Sequence, residues 1–235
     1  REVCIFGQDF TVHGGSIGSV ADNKVGRLIQ RSVVRGLPMV MMLEGGGHRI
    51  QDGMNAAHFA AASPVFNNMC KLSGWVPNVV AMMGQGFAGP TAYASLADFV
   101  VMLRGKSTMG IAGPALVKAG MGIDISKEDL GGAKRQAEEQ GIADLAVDTE
   151  EECLEAVRKF LSYLPQNSAQ PLPITACDDP IDRRDDKLLD LVTASPRKVY
   201  DMRKVIKIIA DVDSTFELKP DYARNIITCF ARLDG

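Results

Sequence analysis

The chain has 235 residues, 46% of them hydrophobic and 23% charged, with 26 Lys and Arg against 29 Asp and Glu for a net charge of −3. A chain of this size buries about 70% of its unfolded surface and needs no staples to form a core, while its acidic balance gives no reason to expect nucleic acid or an anionic membrane as partner. The 5 cysteines are scattered with no CxxC pair, which indicates neither a zinc ribbon nor a disulfide framework and points to a reducing compartment.

No apolar run reaches about 18 residues, so no membrane span is expected. Strand-like residues stand directly behind Arg1 and Glu2, with no signal peptide, as in a segment of a longer protein. Val3-Cys4-Ile5-Phe6 reads as a buried strand. Val25, Leu28, Ile29 and Val33 recur at helical spacing and predict a helix from about Ser16 to Arg35, with Ser16 as N-cap and Gly36 as stop. A second strand runs from Pro38 to Leu43 and is closed by Gly45-Gly46-Gly47. An alanine-rich helix over 56–62 follows, which Pro64 breaks or kinks.

Val79 to Met83 is a third strand, closed by Gly84-Gln85-Gly86-Phe87-Ala88-Gly89, and Asp98 to Leu103 a fourth. Apolar strands alternating with helices predict α/β layers with largely parallel pairing. Glu150 to Leu164 is an amphipathic helix with Cys153, Val157, Phe160 and Leu161 on one face. A proline-rich connector spans Pro165 to Pro173, followed by helical pieces near Lys187–Leu191 and Pro196–Ile209. Phe230 to Gly235 resembles a strand entering a turn. No internal repeat is visible in the sequence.

Gly14-Gly15-Ser16-Ile17-Gly18 fits the G-x-S-x-G elbow of serine hydrolases, but the base of that fold comes last, after the acid, and none of His13, His48 and His58 lies in the later part of the chain where it belongs. Gly84 to Gly89 fits the dinucleotide fingerprint G-x-G-x-x-G, yet the acidic partner about 20 residues on is missing, because Asp98 comes too early. Both glycine loops follow a buried strand and precede a helix. Such turns leave N–H groups unpaired and open to an anion, or they are tight turns packed for structure alone. Glu44, His48, Arg49 and Asp52 flank the first loop, either as acid–base groups or as a solvated ion-pair loop. No His, Asp and Glu cluster has metal-ligand spacing, so no metal is expected.

Gln8-Asp9-Phe10-Thr11-Val12-His13-Gly14-Gly15-Ser16 resembles the QDFTV-x-GGS stretch of the carboxyltransferase subunits of biotin-dependent acyl-CoA carboxylases and related decarboxylases. Gly45 to Gly53 is similar to that family's SGGARIQEG loop, and Met83 to Phe99 to its MG…AGG…DF segment. Gly113-Pro114, Glu128 to Ala133, Phe160 to Pro165, Pro220 to Ile227 and Phe230-Ala231-Arg232 match in order, so the resemblance covers essentially the whole chain.

The resemblance implies a crotonase-like α/β spiral fold of repeated ββα units. It also implies a lobe over 1–170, with 171–235 as connector, helices and the start of a second lobe. The implied activity is CO2 transfer from carboxybiotin to the α-carbon of an acyl-CoA, with the enolate held by backbone N–H groups and the biotin ureido nitrogen as base. Carried over by position, the donors fall at Ala88 and Gly89, supported by Gly46 and Gly47, while Gly45, His48, Arg49 and Phe87 contact the CoA thioester. Biotin arrives on a separate carrier, since no AMKM-like motif is present. The implied partners are a biotin carboxylase and carrier subunit and a hexamer of full-length chains, located in the cytoplasm or, in a eukaryote, the mitochondrial matrix. The lobe alone is expected to be inactive.

Several positions depart from the family pattern. Pro90 has no N–H to donate, Phe87 replaces a small residue, His48 replaces an alanine, and Glu44 replaces the usual Asp-Ser approach. Gln136 and Asp144 stand where relatives carry histidines. These departures leave two alternatives: a crotonase-type hydratase, isomerase or decarboxylase using Glu44 or Asp52, or a non-catalytic paralogue.

Overall fold

Short, largely apolar runs form the strands of the main sheet, and amphipathic segments between them form covering helices. The computed structural model describes residues 1–54, 65–180, 182–195 and 197–235. In chain order the elements are β1 (Cys4–Gly7), α1 (Ser19–Arg35), β2 (Met39–Leu43), α2 (Ile50–Gly53), α3 (Val65–Cys70), β3 (Asn78–Met82), β4 (Gln85–Phe87) and α4 (Gly89–Ala94). There follow β5 (Phe99–Leu103), β6 (Thr108–Gly110), α5 (Pro114–Met121), α6 (Lys127–Gly131), β7 (Leu145–Val147) and α7 (Glu150–Ser162). The tail adds α8 (Lys187–Leu191), α9 (Met202–Ile209), β8 (Phe216–Leu218) and β9 (Thr228–Phe230).

The main sheet has 5 strands in the order β1-β2-β3-β5-β7, all parallel. Its inner strands are apolar along their whole length because both faces are covered. On one face Ile29 of α1 packs with Met39, Met41, Leu43, Val80, Met82 and Met102. On the other, Val40, Val79, Phe99 and Val101 meet Cys153, Val157, Phe160 and Leu161 of α7. Burial pushes the Cys153 thiol up to about 12, so it serves as apolar filling.

The unit strand, short strand, helix occurs twice in succession, as β3-β4-α4 and β5-β6-α5. The short strands β4 and β6 pair with each other in a second parallel sheet, so the chain winds as a spiral of ββα units although its sequence shows no repeat. The β8–β9 hairpin, well beyond residue 170, closes the α7 face: Phe216 and Phe230 lie 5.8 Å from Phe99 and 5.7 Å from Phe160.

Most predicted elements appear within a few residues of their expected bounds. Gly36 stops α1 in the left-handed conformation (φ 62°), its N–H bonded to the Ser32 carbonyl. Ser16 does not cap that helix: α1 begins at Ser19, whose N–H is taken by the Asp52 carboxylate at 2.8 Å. The Ser16 hydroxyl accepts instead from Arg49 Nε at 3.4 Å. The helix expected over Pro196–Ile209 begins at Met202, because extended Asp201 caps it by accepting the Arg203 N–H. The alanine-rich helix over 56–62, Pro64 and Pro196 lie outside the described residues. Among the described residues, no helix is long and apolar enough to cross a membrane.

Candidate active site

Strands β2 and β3 run side by side with Leu43 opposite Met82, so the chain leaves both at the same edge of the sheet. The glycine loops that follow are therefore neighbours. Two backbone bonds stitch them together: Met83 N–H to Leu43 O at 2.9 Å and Gly45 N–H to Gln85 O at 2.6 Å.

The first loop is clamped from its other side by the chain around Gly15. Gly46 N–H reaches Gly14 O at 3.0 Å, Ile17 N–H reaches Gly47 O at 2.7 Å, and Arg49 N–H reaches Ile17 O at 2.8 Å. Gln8 braces both pieces, with its amide donating to Gly15 O and accepting from Glu44 N–H. Gly45 has to be glycine, since a Cβ there would stand 2.6 Å from Gly15 O.

The second loop rises into β4 and turns at Ala88 into α4. Thr91 fixes that turn: its hydroxyl donates to Gly86 O and accepts the Gly110 N–H at 2.8 Å. Ala88 sits at φ 62°, ψ −111°, a conformation natural to glycine and strained for alanine. Ala88→Gly is therefore expected to raise stability by about 1 kcal/mol, read as a higher urea midpoint at unchanged slope.

The positions expected to form the oxyanion hole, with Ala88 and Gly89 as donors and Gly46 and Gly47 in support, divide into two pairs. Ala88 N–H is bonded to Gly110 O at 2.8 Å and Gly46 N–H to Gly14 O, so both are committed to the scaffold. Each sits where a neighbouring strand or turn presents a carbonyl. The Gly47 and Gly89 N–H groups have no acceptor among the described residues. They adjoin, because a Cβ placed on Gly47 would lie 3.7 Å from Gly89 N and 3.0 Å from Ala88 Cβ. Gly47 has φ 89°, so glycine is required there twice over.

The flanking residues expected to contact the thioester separate similarly. Phe87 is buried, its ring lying against Gly110 and Gly113. Arg49 lines a groove of about 640 Å³ with Gln8, Ser16, Lys24 and Tyr93. His48 faces Asp22 of α1, Nε2 to Oδ2 3.9 Å, and the Tyr93 hydroxyl donates to the same carboxylate at 3.4 Å. Burial, and next the Asp22 charge, push the Tyr93 phenol well above its ordinary range, so it is a neutral donor.

The carboxylates weighed as acid–base groups also find places. Asp52 caps α1, and the Glu44 carboxylate lies against Gly84, which leaves no room for a Cβ. Gln136 donates to Met109 O at 3.0 Å, and Asp144 accepts the Val100 N–H and pairs with Lys219 at 3.0 Å, so both are braces of the scaffold. Cys177, Asp179 and Asp211 also cluster, but Asp179 is paired with Arg183 at 2.6 Å and Asp211 accepts the N–H groups of Asp234 and Gly235.

Thr91, Asp22 and Tyr93 carry no local motif in the sequence.

The carboxyl transferase domain family matches residues 1–235. The propionyl-CoA carboxylase carboxyltransferase subunit of Haloferax mediterranei is 37% identical over 236 residues, covering 100% of this chain and 45% of that protein. Methylmalonyl-CoA decarboxylase subunit alpha of Veillonella parvula is 36% identical over 235 residues, 100% of this chain and 46% of that protein. Among solved structures, a transcarboxylase 12S hexamer with hydrolysed methylmalonyl-CoA bound superposes with a TM-score of 0.90 at 31% identity, over 98% of this chain and 45% of that one. The chain thus spans less than half the length of these relatives, and its ββα spiral is the crotonase-like fold. With a family match along its whole length, the chain belongs to the carboxyl transferase domain family.

Proposed function

We propose that the protein containing this chain is the carboxyltransferase component of a biotin-dependent acyl-CoA carboxylase, and that this lobe holds the acyl-CoA thioester. The observation that carries the reading is the pair of adjoining N–H groups of Gly47 and Gly89, without acceptors among the described residues and on loops braced from every side. The donor set fits a thioester oxygen: two neutral N–H groups, strongest when the oxygen becomes an enolate. Carboxybiotin would supply the CO2 and, once it has released it, a ureido nitrogen that can accept the α-proton. The chain's own part is to bind the thioester oxygen, orient the α-carbon and stabilise the charge that grows as its proton leaves.

Gly47 and Gly89 take the donor role, while Ala88 and Gly46 keep them in place. The cations Arg49 and Lys24 on the adjacent groove give it the sign that CoA phosphates require. A separate biotin carrier, a biotin carboxylase partner, assembly of full-length chains as a hexamer, and a cytoplasmic or mitochondrial matrix location complete the proposal. The likeness to a hexameric transcarboxylase supports the assembly.

The test assays the full-length protein for carboxyl exchange between biotin and acetyl-, propionyl- and longer acyl-CoAs. Transfer that requires both biotin and the thioester is expected. Turnover of acyl-CoA without biotin, abolished by Glu44→Gln in a folded protein, would replace this reading with a hydratase or decarboxylase.

A further inference from the structure

One carboxylate touches both halves of the site from outside it. Asp22 stands in the first turn of α1, its side chain only 13% exposed. Its Oδ1 accepts from the hydroxyl of Tyr93, and its Oδ2 faces Nε2 of His48. His48 directly follows Gly47, and Tyr93 lies one helical turn after Gly89 on α4. The two groups that Asp22 reaches thus stand one residue from the Gly47 donor and four from the Gly89 donor, neither of which has an acceptor among the described residues.

We propose that Asp22 is a positioning residue, which fixes the Gly47 and Gly89 N–H groups relative to each other by holding His48 on one loop and Tyr93 on α4. The inference rests on the donor reading of those N–H groups given above. Tyr93 transmits position well because it cannot swing. It is 3% exposed, its ring edge-on to Phe6 at 6.4 Å and tilted against Phe66 at 5.6 Å. Asp22 is equally anchored, since α1 is tied to the first loop through the Asp52 cap and the Ile17 bonds. A largely buried carboxylate that accepts from the Tyr93 hydroxyl and faces His48 Nε2 at 3.9 Å favours one geometry over its neighbours, because any shift that loses a partner leaves charge poorly satisfied in a medium of low dielectric. Displacement of reacting groups by about 1 Å costs about 10²-fold in rate, which sets the size of the expected effect.

The experiment compares Asp22→Ala, Asp22→Asn and Tyr93→Phe in the full-length protein, by steady-state kinetics and by amide hydrogen exchange of residues 45–48 and 86–89. Asp22→Ala is expected to lower kcat by about 10- to 100-fold with KM for the acyl-CoA within about twofold, and to speed exchange in both loops. Asp22→Asn, which keeps an acceptor for the Tyr93 hydroxyl, should recover part of the loss. If Asp22→Ala does not fold, Tyr93→Phe decides: a lower kcat with faster exchange in the second loop supports the proposal.

Unchanged kcat and unchanged exchange would overturn it, as would a loss of kcat that merely tracks loss of folded protein. Should the wild-type protein show no biotin-dependent transfer, the functional reading fails. Faster exchange in both loops would still establish the positioning role, and unaltered exchange would remove that too.

Discussion

Replacing the Gly89 amide by an ester, with glycolic acid in place of glycine, is expected to lower kcat by about 10²- to 10³-fold in the full-length enzyme while the fold persists. The change replaces one N–H by an oxygen and adds no side chain, which matters at a position where a Cβ would meet Ile17 Cδ1 at 2.8 Å. Because Gly89 N–H has no acceptor among the described residues, its loss breaks no hydrogen bond among them. The ester does weaken the Ala88 carbonyl, which accepts the Ala92 N–H at 2.9 Å, so a small loss of stability accompanies it. A donor used mainly in the transition state lowers kcat and kcat/KM together and leaves KM nearly unchanged. An ester at Gly89 with full kcat would remove that N–H from the mechanism.

The same chemistry at Ala88 separates scaffold from donor. Its N–H is already spent on Gly110 O, joining the end of β4 to the end of β6. Deleting it is expected to cost about 1 kcal/mol of stability, with far less effect on kcat than at Gly89. That contrast between adjacent residues is difficult to produce by general loosening of the loop, which would slow both variants alike.

The sequence made legible what depends on neighbours along the chain. The α7 face was readable because Cys153, Val157, Phe160 and Leu161 repeat at helical period, and all four are buried against the sheet. Gly36 was readable as a stop because a left-handed residue after a helix favours glycine. The strands β4 and β6 were not: each has three residues, and Gly86 and Gly110 within them lack the side chains that mark a strand. The two glycine loops were recognisable as candidates, but which of their N–H groups remain unpaired depends on where Gly110 O and Gly14 O lie. Likewise the cap on α1 comes from Asp52, 33 residues away, and Asp22 accepts from Tyr93, 71 residues away. No local pattern encodes such pairings. They exist because parallel strands deliver distant turns to one edge of a sheet.

The two faces of that sheet divide the work, and this leads to the second large effect. Phe99 opens β5 with no exposed surface, stacked on Phe160 of α7 at 4.6 Å and 13°, with Phe216 of the hairpin 5.8 Å away. Truncating it to alanine removes the centre of this aromatic cluster and leaves a cavity that α7 and the hairpin, each held by its own hydrogen bonds, cannot close. The expected cost is about 3–5 kcal/mol, a large share of the roughly 5–15 kcal/mol that keeps a domain folded, measured as a lower urea midpoint. Ile17, Tyr93 and Leu43, which support the donor loops, belong to the core on the opposite face. Phe99→Ala should therefore reduce the folded fraction while the molecules that remain folded, assayed at low temperature with saturating acyl-CoA, turn over at nearly the wild-type kcat. A loss of kcat in fully folded Phe99→Ala protein would mean that the strain crosses β3 to the glycine loops, and that the two faces are not independent.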